Sequence, residues 1–128
     1  MSCRNTRTTL AWGQVFFPYG PHQDETRLIP SIFQSLSQGG IAKCRFPTLI
    51  RDYIYVGDVA KVFRSLLSSS VEGKFEIGTG TGHSLGEIAM KTAEIAGFPG
   101  KIILGSRLSK DTPTIIANPD RLKNELGL

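Results

Sequence analysis

No stretch of about 18 apolar residues occurs in this 128-residue chain, so no segment reads as a membrane-spanning helix. Cysteine is scarce. Cys3 and Cys44 are the only two, without CxxC spacing or a nearby histidine pair. A zinc site is not expected from them. Histidine is equally sparse, and His22 and His83 stand alone. No apolar core follows Met1, so no secretory signal is read and no disulfide is expected. Residues 1–9 are rich in Arg and Thr, which resembles a transit peptide, but the stretch is too short to argue from. They are expected to be flexible, and the default address is the cytoplasm. Dense blocks of Lys and Arg are lacking too. Fifteen basic against eleven acidic residues leave a scattered net charge of +4. That pattern argues against a nucleic-acid partner. It suits an anionic small molecule, and it equally suits an ordinary solvated surface. Neither internal repeats nor low-complexity segments interrupt the chain.

What remains is the composition of a globular protein, 40% hydrophobic and 20% charged. The length fits a single domain over residues 1–128, able to bury roughly two-thirds of its unfolded surface. Residues 9–17 read as a strand whose far end is apolar on both faces, the habit of a buried parallel strand. Pro18-Tyr-Gly-Pro21 ends it. A helix is expected to start near residues 28–30, since Pro30 is tolerated only in a first turn, and to end at Gly39-Gly40. Its apolar face is Leu28, Ile29, Ile32, Phe33 and Leu36. Short strands are candidates at 41–46 and 53–56. A second helix is expected from Asp58 as N-cap, with Val59, Val62, Phe63, Leu66 and Leu67 buried. Residues 74–77 form a strand. Ser84 and Glu87 have the spacing of a capping box, so a third helix begins there, with Leu85, Ile88, Ala89, Thr92 and Ile95 as its face and Gly97 as its C-cap. Residues 101–104 read as a strand, and Asn118-Pro119 opens a last helix over 119–126. Alternating helices and strands argue for an α/β fold.

Three segments carry a wider likeness: Trp12-Gly-Gln-Val-Phe-Phe-Pro-Tyr-Gly-Pro21, Arg51-Asp-Tyr-Ile-Tyr-Val-Gly-Asp-Val-Ala60 and Phe75-Glu-Ile-Gly-Thr-Gly80. Arg27-Leu-Ile-Pro30 lies between the first two. In this order, residues 10–128 resemble the second half of the extended short-chain dehydrogenase/reductases, in particular the NAD-dependent nucleotide-sugar epimerases and dehydratases. The resemblance implies the C-terminal, substrate-binding part of a Rossmann-type fold, with the N-terminal dinucleotide-binding region absent. It implies that Arg51 faces the pyrophosphate of a nucleotide-diphosphate sugar. A guanidinium fork suits that task, because it forms paired charge-assisted bonds to phosphate oxygens. A structural pairing of Arg51 with Asp52 or Asp58 is the competing reading. By the same resemblance Arg27, Leu28 and Pro30 lie where the nucleotide is contacted, Tyr53 near the diphosphate or base, Phe17 beside the sugar and Phe16 beside the nicotinamide. Tyr19 and Pro21 read as turn residues. The sequence departs from the pattern at Phe17, where relatives often carry Asn, at Gln14, where many carry Arg, and between Gly40 and Arg51.

Hydride chemistry in that family uses a Tyr-x-x-x-Lys pair, in which the lysine lowers the tyrosine pKa. No tyrosine here has a lysine four residues on. The N-terminal glycine fingerprint is missing too. NAD or NADP is implied for the whole enzyme, with none expected to bind this chain alone, and no turnover is expected from it. A second glycine pattern, Gly80-x-Gly82-x-x-x-Gly86 with Arg107 on a later strand, could hold a pyrophosphate at a helix N-terminus, but a lone glycine pattern is weak evidence. The alternative to sugar-nucleotide binding is a non-catalytic module. The strand at 9–17 would leave an edge unpaired, which favours a homo-oligomer or a partner chain.

Overall fold

The computed structural model describes residues 8–128, and Cys3 with most of the stretch expected to be flexible lies outside them. The element order is β1 (Ala11–Val15), β2 (Phe17–Tyr19), α1 (Leu28–Ser37), β3 (Ala42–Cys44), β4 (Ile50–Arg51), β5 (Tyr53–Tyr55), α2 (Val56–Leu67), β6 (Gly73–Ile77), β7 (His83–Ser84), α3 (Leu85–Ile95), β8 (Ile102–Leu104), β9 (Thr114–Ile115) and α4 (Asp120–Leu126). The mixed α/β architecture is the one expected. Two units are distinguished, each with its own core. The first comprises the chain up to Pro18, Asp52–Thr81 and Ile116–Leu128, and the second Tyr19–Arg51 and Gly82–Ile115. No helix among the described residues is long and apolar enough to cross a membrane.

In the first unit β1 pairs parallel with β6, in register from Ala11 opposite Gly73 to Val15 opposite Ile77. The strand packs on the core with one face only. Ala11 and Val15 pack on the core, while Trp12 is 49% exposed and Gln14 is exposed. The parallel pairing is the one expected, and at the far end of the strand Val15, Phe16 and Phe17 are all half-buried, so full burial on both faces is not reached. Phe75 and Ile77 of β6 are fully buried among Ile54, Val59, Val62, Leu66 and Leu122. Helix α2 follows β5 without a loop and starts at Val56, two residues before the expected N-cap. Its N-cap is Tyr55, which makes no side-chain cap. Asp58 instead sits in the first turn, where a negative charge complements the free N–H groups of the helix end. Val59, Val62 and Leu66 form the buried stripe, but Phe63 is 39% and Leu67 89% exposed, against expectation.

In the second unit β3 pairs parallel with β8, and β4 lies between β7, antiparallel, and β9, parallel. Helices α1 and α3 pack together over Ile32, Leu36, Ala42, Cys44, Ala89 and Ala93. Two alanines at this contact let the helix axes approach closely. Burial pushes the Cys44 thiol pKa up, which keeps it a neutral core residue. Pro30 occupies the first turn of α1 as expected. The capping signal of α3 is also realised. Ser84 Oγ accepts from the Glu87 N–H at 3.1 Å and lies 3.2 Å from Glu87 Oε1. The predicted face is partly corrected, since Ile95 is 67% exposed, and the C-cap is Ala96 with Gly97 beyond it. Replacing the cap, Ser84→Ala, is expected to cost about 1 kcal/mol in urea unfolding followed by circular dichroism. No change in the midpoint would show that the cap contributes nothing.

Candidate functional site

Arg51 ends β4, opposite His83 on one side and Ile115 on the other. A residue so placed is flanked by strands on both sides, and Arg51 is only 7% exposed. A guanidinium keeps its charge in proteins, so burial demands acceptors. Main-chain carbonyls supply them. Nη1 donates to the oxygens of Ile50 and Thr112, both at 2.9 Å, and of Pro113 at 3.4 Å. The Pro113 carbonyl also accepts from the Ile50 N–H at 2.8 Å. Bonds from one terminal nitrogen to a fixed backbone set the plane of the whole guanidinium.

Arg27 belongs to the same unit and differs in every respect. It is the N-cap residue of α1, extended at φ −73° and ψ 158°, and exposed. Its main chain closes the turn before the helix, with its N–H donating to Asp24 O at 3.0 Å and its carbonyl accepting from Ser31 N–H at 2.9 Å. Its side chain makes no cap bond. The neighbouring Asp24 carboxylate accepts from the Thr26 N–H and hydroxyl, each at 2.8 Å. Those bonds, with a smaller contribution from the Arg27 charge, hold the Asp24 pKa below its ordinary value. Leu28 and Pro30 follow in the first turn, both half-buried, and Leu28 packs on the second core.

Phe16, Phe17 and Tyr53 belong to the first unit. Phe16 continues the β1 ladder, its N–H donating to Ile77 O at 3.0 Å. The rings of Phe17 and Tyr53 lie 6.0 Å apart between centroids, tilted by 32°, and both residues are half-buried. An aromatic pair of this geometry is a favourable arrangement.

Asp52 is the residue that sequence reasoning passed over as a mere partner for Arg51. It is fully buried. Oδ1 accepts from the Thr79 N–H at 2.9 Å and the Thr79 hydroxyl at 2.6 Å. Oδ2 accepts from the N–H groups of Gly80 at 2.9 Å and Ala117 at 3.2 Å. A Cβ on Gly78 would stand 2.7 Å from Asp52 Oδ2 and 2.5 Å from the Ala117 Cβ, so only glycine fits there. The carboxylate thus ties β5, the turn after β6 and the segment before α4 into one knot. A signal was present: an Arg-Asp pair inside the apolar run Leu49-Ile-Arg-Asp-Tyr-Ile-Tyr-Val56 marks charges destined for burial.

The glycine pattern ahead of α3 does not form the anion cradle considered for it. The N–H groups of the first three helical residues are already engaged, Leu85 to Leu49 O at 2.8 Å, Gly86 to Pro47 O at 2.9 Å and Glu87 to Ser84 Oγ at 3.1 Å. An open groove of about 790 Å³ runs along α3 between Pro47, Met90, Lys91 and Leu104, and none of the residues that the family resemblance assigns to a sugar nucleotide lines it. Among the described residues no group of three potential metal ligands comes together.

Comparison with known proteins adds three findings. Residues 3–78 match the model of the NAD dependent epimerase/dehydratase family. The UDP-glucose 4-epimerase of Corynebacterium glutamicum is 30% identical over 94% of this chain and 41% of its own length, and that of Bacillus subtilis 27% identical over 89% and 40%. The chain therefore spans about two-fifths of the curated relatives it matches. Among solved structures, the UDP-glucose 4-epimerase of Thermus thermophilus in complex with NAD is similar with a TM-score of 0.77 at 26% identity, covering 90% of this chain and 40% of that one. The Thermotoga maritima UDP-glucose 4-epimerase with UDP-glucose shares the fold, with a TM-score of 0.83 at 21% identity over 94% of this chain and 40% of that one.

Proposed function

Because the chain belongs to the NAD-dependent epimerase/dehydratase family, we propose that it is the part of such an enzyme that holds a nucleotide-diphosphate sugar. The observation that carries this reading is the fixed guanidinium of Arg51, oriented through Nη1 by three main-chain carbonyls. A charge whose direction is already set loses little entropy on meeting a diphosphate, and a planar fork matches two phosphate oxygens at once. Arg27 supplies a second, exposed cation in the same unit. Leu28, Pro30, Phe17 and Tyr53 are assigned to the nucleotide and sugar, and Phe16 to the nicotinamide side. UDP-hexoses are the first substrates to test, because the relatives named above are UDP-glucose 4-epimerases.

No Tyr-x-x-x-Lys pair exists in this sequence to move a hydride's accompanying proton. Binding, not turnover, is accordingly the activity assigned to these residues, and NAD or NADP is assigned to the remainder of such an enzyme.

Calorimetric titration of the purified chain with UDP-glucose tests the reading. Arg27→Ala removes an exposed side chain without a cap bond, so the fold should be untouched, while the loss of one charge-assisted contact should weaken binding about tenfold or more. Arg51→Lys keeps the charge and loses the fork, and a similar weakening is expected. Binding unchanged in both variants would sink the assignment.

A further inference from the structure

Strand β6 has two edges, which are closed by different means. Gly73 N–H donates to Leu10 O at 2.9 Å, and Phe16 N–H donates to Ile77 O at 3.0 Å. In a parallel ladder a residue points its N–H and C=O to the same side, and successive residues alternate. Gly73, Phe75 and Ile77 therefore face β1, and Glu72, Lys74 and Glu76 face away from it. Among the described residues no strand lies on that outer side. One side chain occupies it instead. Arg121 of α4 donates through Nη1 to Lys74 O and through Nη2 to Glu72 O, both at 2.9 Å. Gly73 lies between these carbonyls at φ 90°, and a Cβ there would stand 3.1 Å from Nη1. Glycine at this position thus serves the turn of the backbone and the approach of the guanidinium together. Glu125 braces the arginine from one turn further on. Its Oε2 accepts from Nε, and its Oε1 accepts from Nη2 at 2.8 Å. Leu122, between them on the helix, is buried in the first core and fixes α4 in place.

The edge so covered is complementary to itself. Lys74 and Glu76 are alternate residues, so their side chains share the face of the strand opposite the buried Phe75 and Ile77. On that face Lys74 Nζ lies 5.6 Å from the Trp12 ring centroid, and Glu76 Oε1 accepts from the Asn118 N–H at 3.3 Å. Two β6 strands running antiparallel about a two-fold axis at Phe75 would set Lys74 of each copy opposite Glu76 of the other. Both residues point their main-chain groups outward, so each such pair would exchange two hydrogen bonds. Each pair would also join opposite charges across the strands, which favours antiparallel pairing. Parallel pairing in register would instead set like charges side by side. The Lys74 carbonyl is one of the acceptors that an antiparallel partner needs. The Arg121 guanidinium already uses it and stands where the partner strand would lie.

We propose that Arg121, braced by Glu125, guards the outer edge of β6 against antiparallel pairing with β6 of a second copy, and that withdrawing this one side chain opens a two-fold contact between sheets. An unpaired edge is a template for another chain, and a charged side chain laid along it is one way to blunt it. The inference uses residues of the first unit alone. It does not depend on the binding of a sugar nucleotide, whose two arginines lie in the other unit.

Sedimentation equilibrium of the purified chain over a range of concentrations tests it. Arg121→Met keeps an apolar stem over Phe75 and removes the guanidinium. It is expected to self-associate about tenfold more tightly than the parent chain, or better. The amides of Lys74 and Glu76 should then exchange hydrogen about tenfold more slowly as the copies associate. Arg121→Lys keeps the charge and loses the fork, so it should show a smaller gain of the same kind. It carries the test if thermal melting shows the methionine variant to be unfolded. Adding Lys74→Glu to either variant sets glutamate opposite glutamate and should cancel the gain. Adding Glu76→Lys as well restores opposite charges and should bring the gain back. A folded variant that associates no more than the parent chain would overturn the proposal, as would a gain indifferent to the charge changes. So would a parent chain already paired with the amides of Lys74 and Glu76 protected, because nothing would then be guarded.

Discussion

Asp52→Ala is expected to destabilise the chain by about 3–5 kcal/mol, a large share of the 5–15 kcal/mol by which domains are usually stable. The carboxylate is fully buried and accepts four hydrogen bonds from three residues. Alanine would leave the N–H groups of Thr79, Gly80 and Ala117 without their acceptor. The Thr79 hydroxyl can turn to the Thr81 carbonyl, 3.2 Å away, so its loss is small. Ala117 is itself buried at 4% exposure, so its N–H has no ready access to water and incurs most of the desolvation cost. Asp52→Asn separates charge from shape. Its amide oxygen can serve one pair of donors, but its NH₂ then confronts the other, and a loss of about 2 kcal/mol is expected. Urea denaturation by circular dichroism measures both. A loss below about 1 kcal/mol for the alanine variant would mean that water or relaxation replaces the knot.

How much of this was legible beforehand depended on whether a signal was local. The start of α1 was marked by Pro30, that of α3 by Ser84 and Glu87, and the end of α4 by Gly127, each acting within a turn of its own element. The cap of α2 was missed by three residues because the chain passes from β5 into the helix at Tyr55, a residue that caps nothing with its side chain. Asp58, the obvious capping residue, works one turn in. The two-residue strands β4, β7 and β9 carry no periodicity of their own and exist only through each other. Phe63 and Leu67 look like core by spacing, yet they stand on the flank of α2 and not on its buried stripe. At the candidate site, Arg51 was singled out by motif, but its carbonyl partners at Thr112 and Pro113 lie some sixty positions along the chain. No local pattern announces such a bond. The clustering of Arg27, Leu28 and Pro30, by contrast, is simply their adjacency at the head of one helix.

Phe75→Ala should cost about as much as the loss of Asp52, by a different route. The ring is fully buried in the first core, at the centre of β6, with the Arg121 guanidinium 4.1 Å above its centroid. Truncation forfeits the transfer free energy of an aromatic side chain and leaves a void, together about 3–5 kcal/mol. The void cannot close freely. Gly13 beside it on β1 has no side chain to move in, and Arg121 is held where it is by Lys74 O, Glu72 O and Glu125. The same clamp raises the Arg121 pKa and depresses that of Glu125, chiefly through their mutual hydrogen bonds. Phe75→Leu restores most of the volume but not the π-face, so about 1–2 kcal/mol should remain lost. A double-mutant cycle with Arg121→Met then isolates the cation over the ring, and a coupling of about 0.5–2 kcal/mol is expected between the two residues. Zero coupling would show that Arg121 serves only as a strap for the edge of β6, and the whole loss at Phe75 would then belong to the lost burial of the ring and the cavity it leaves.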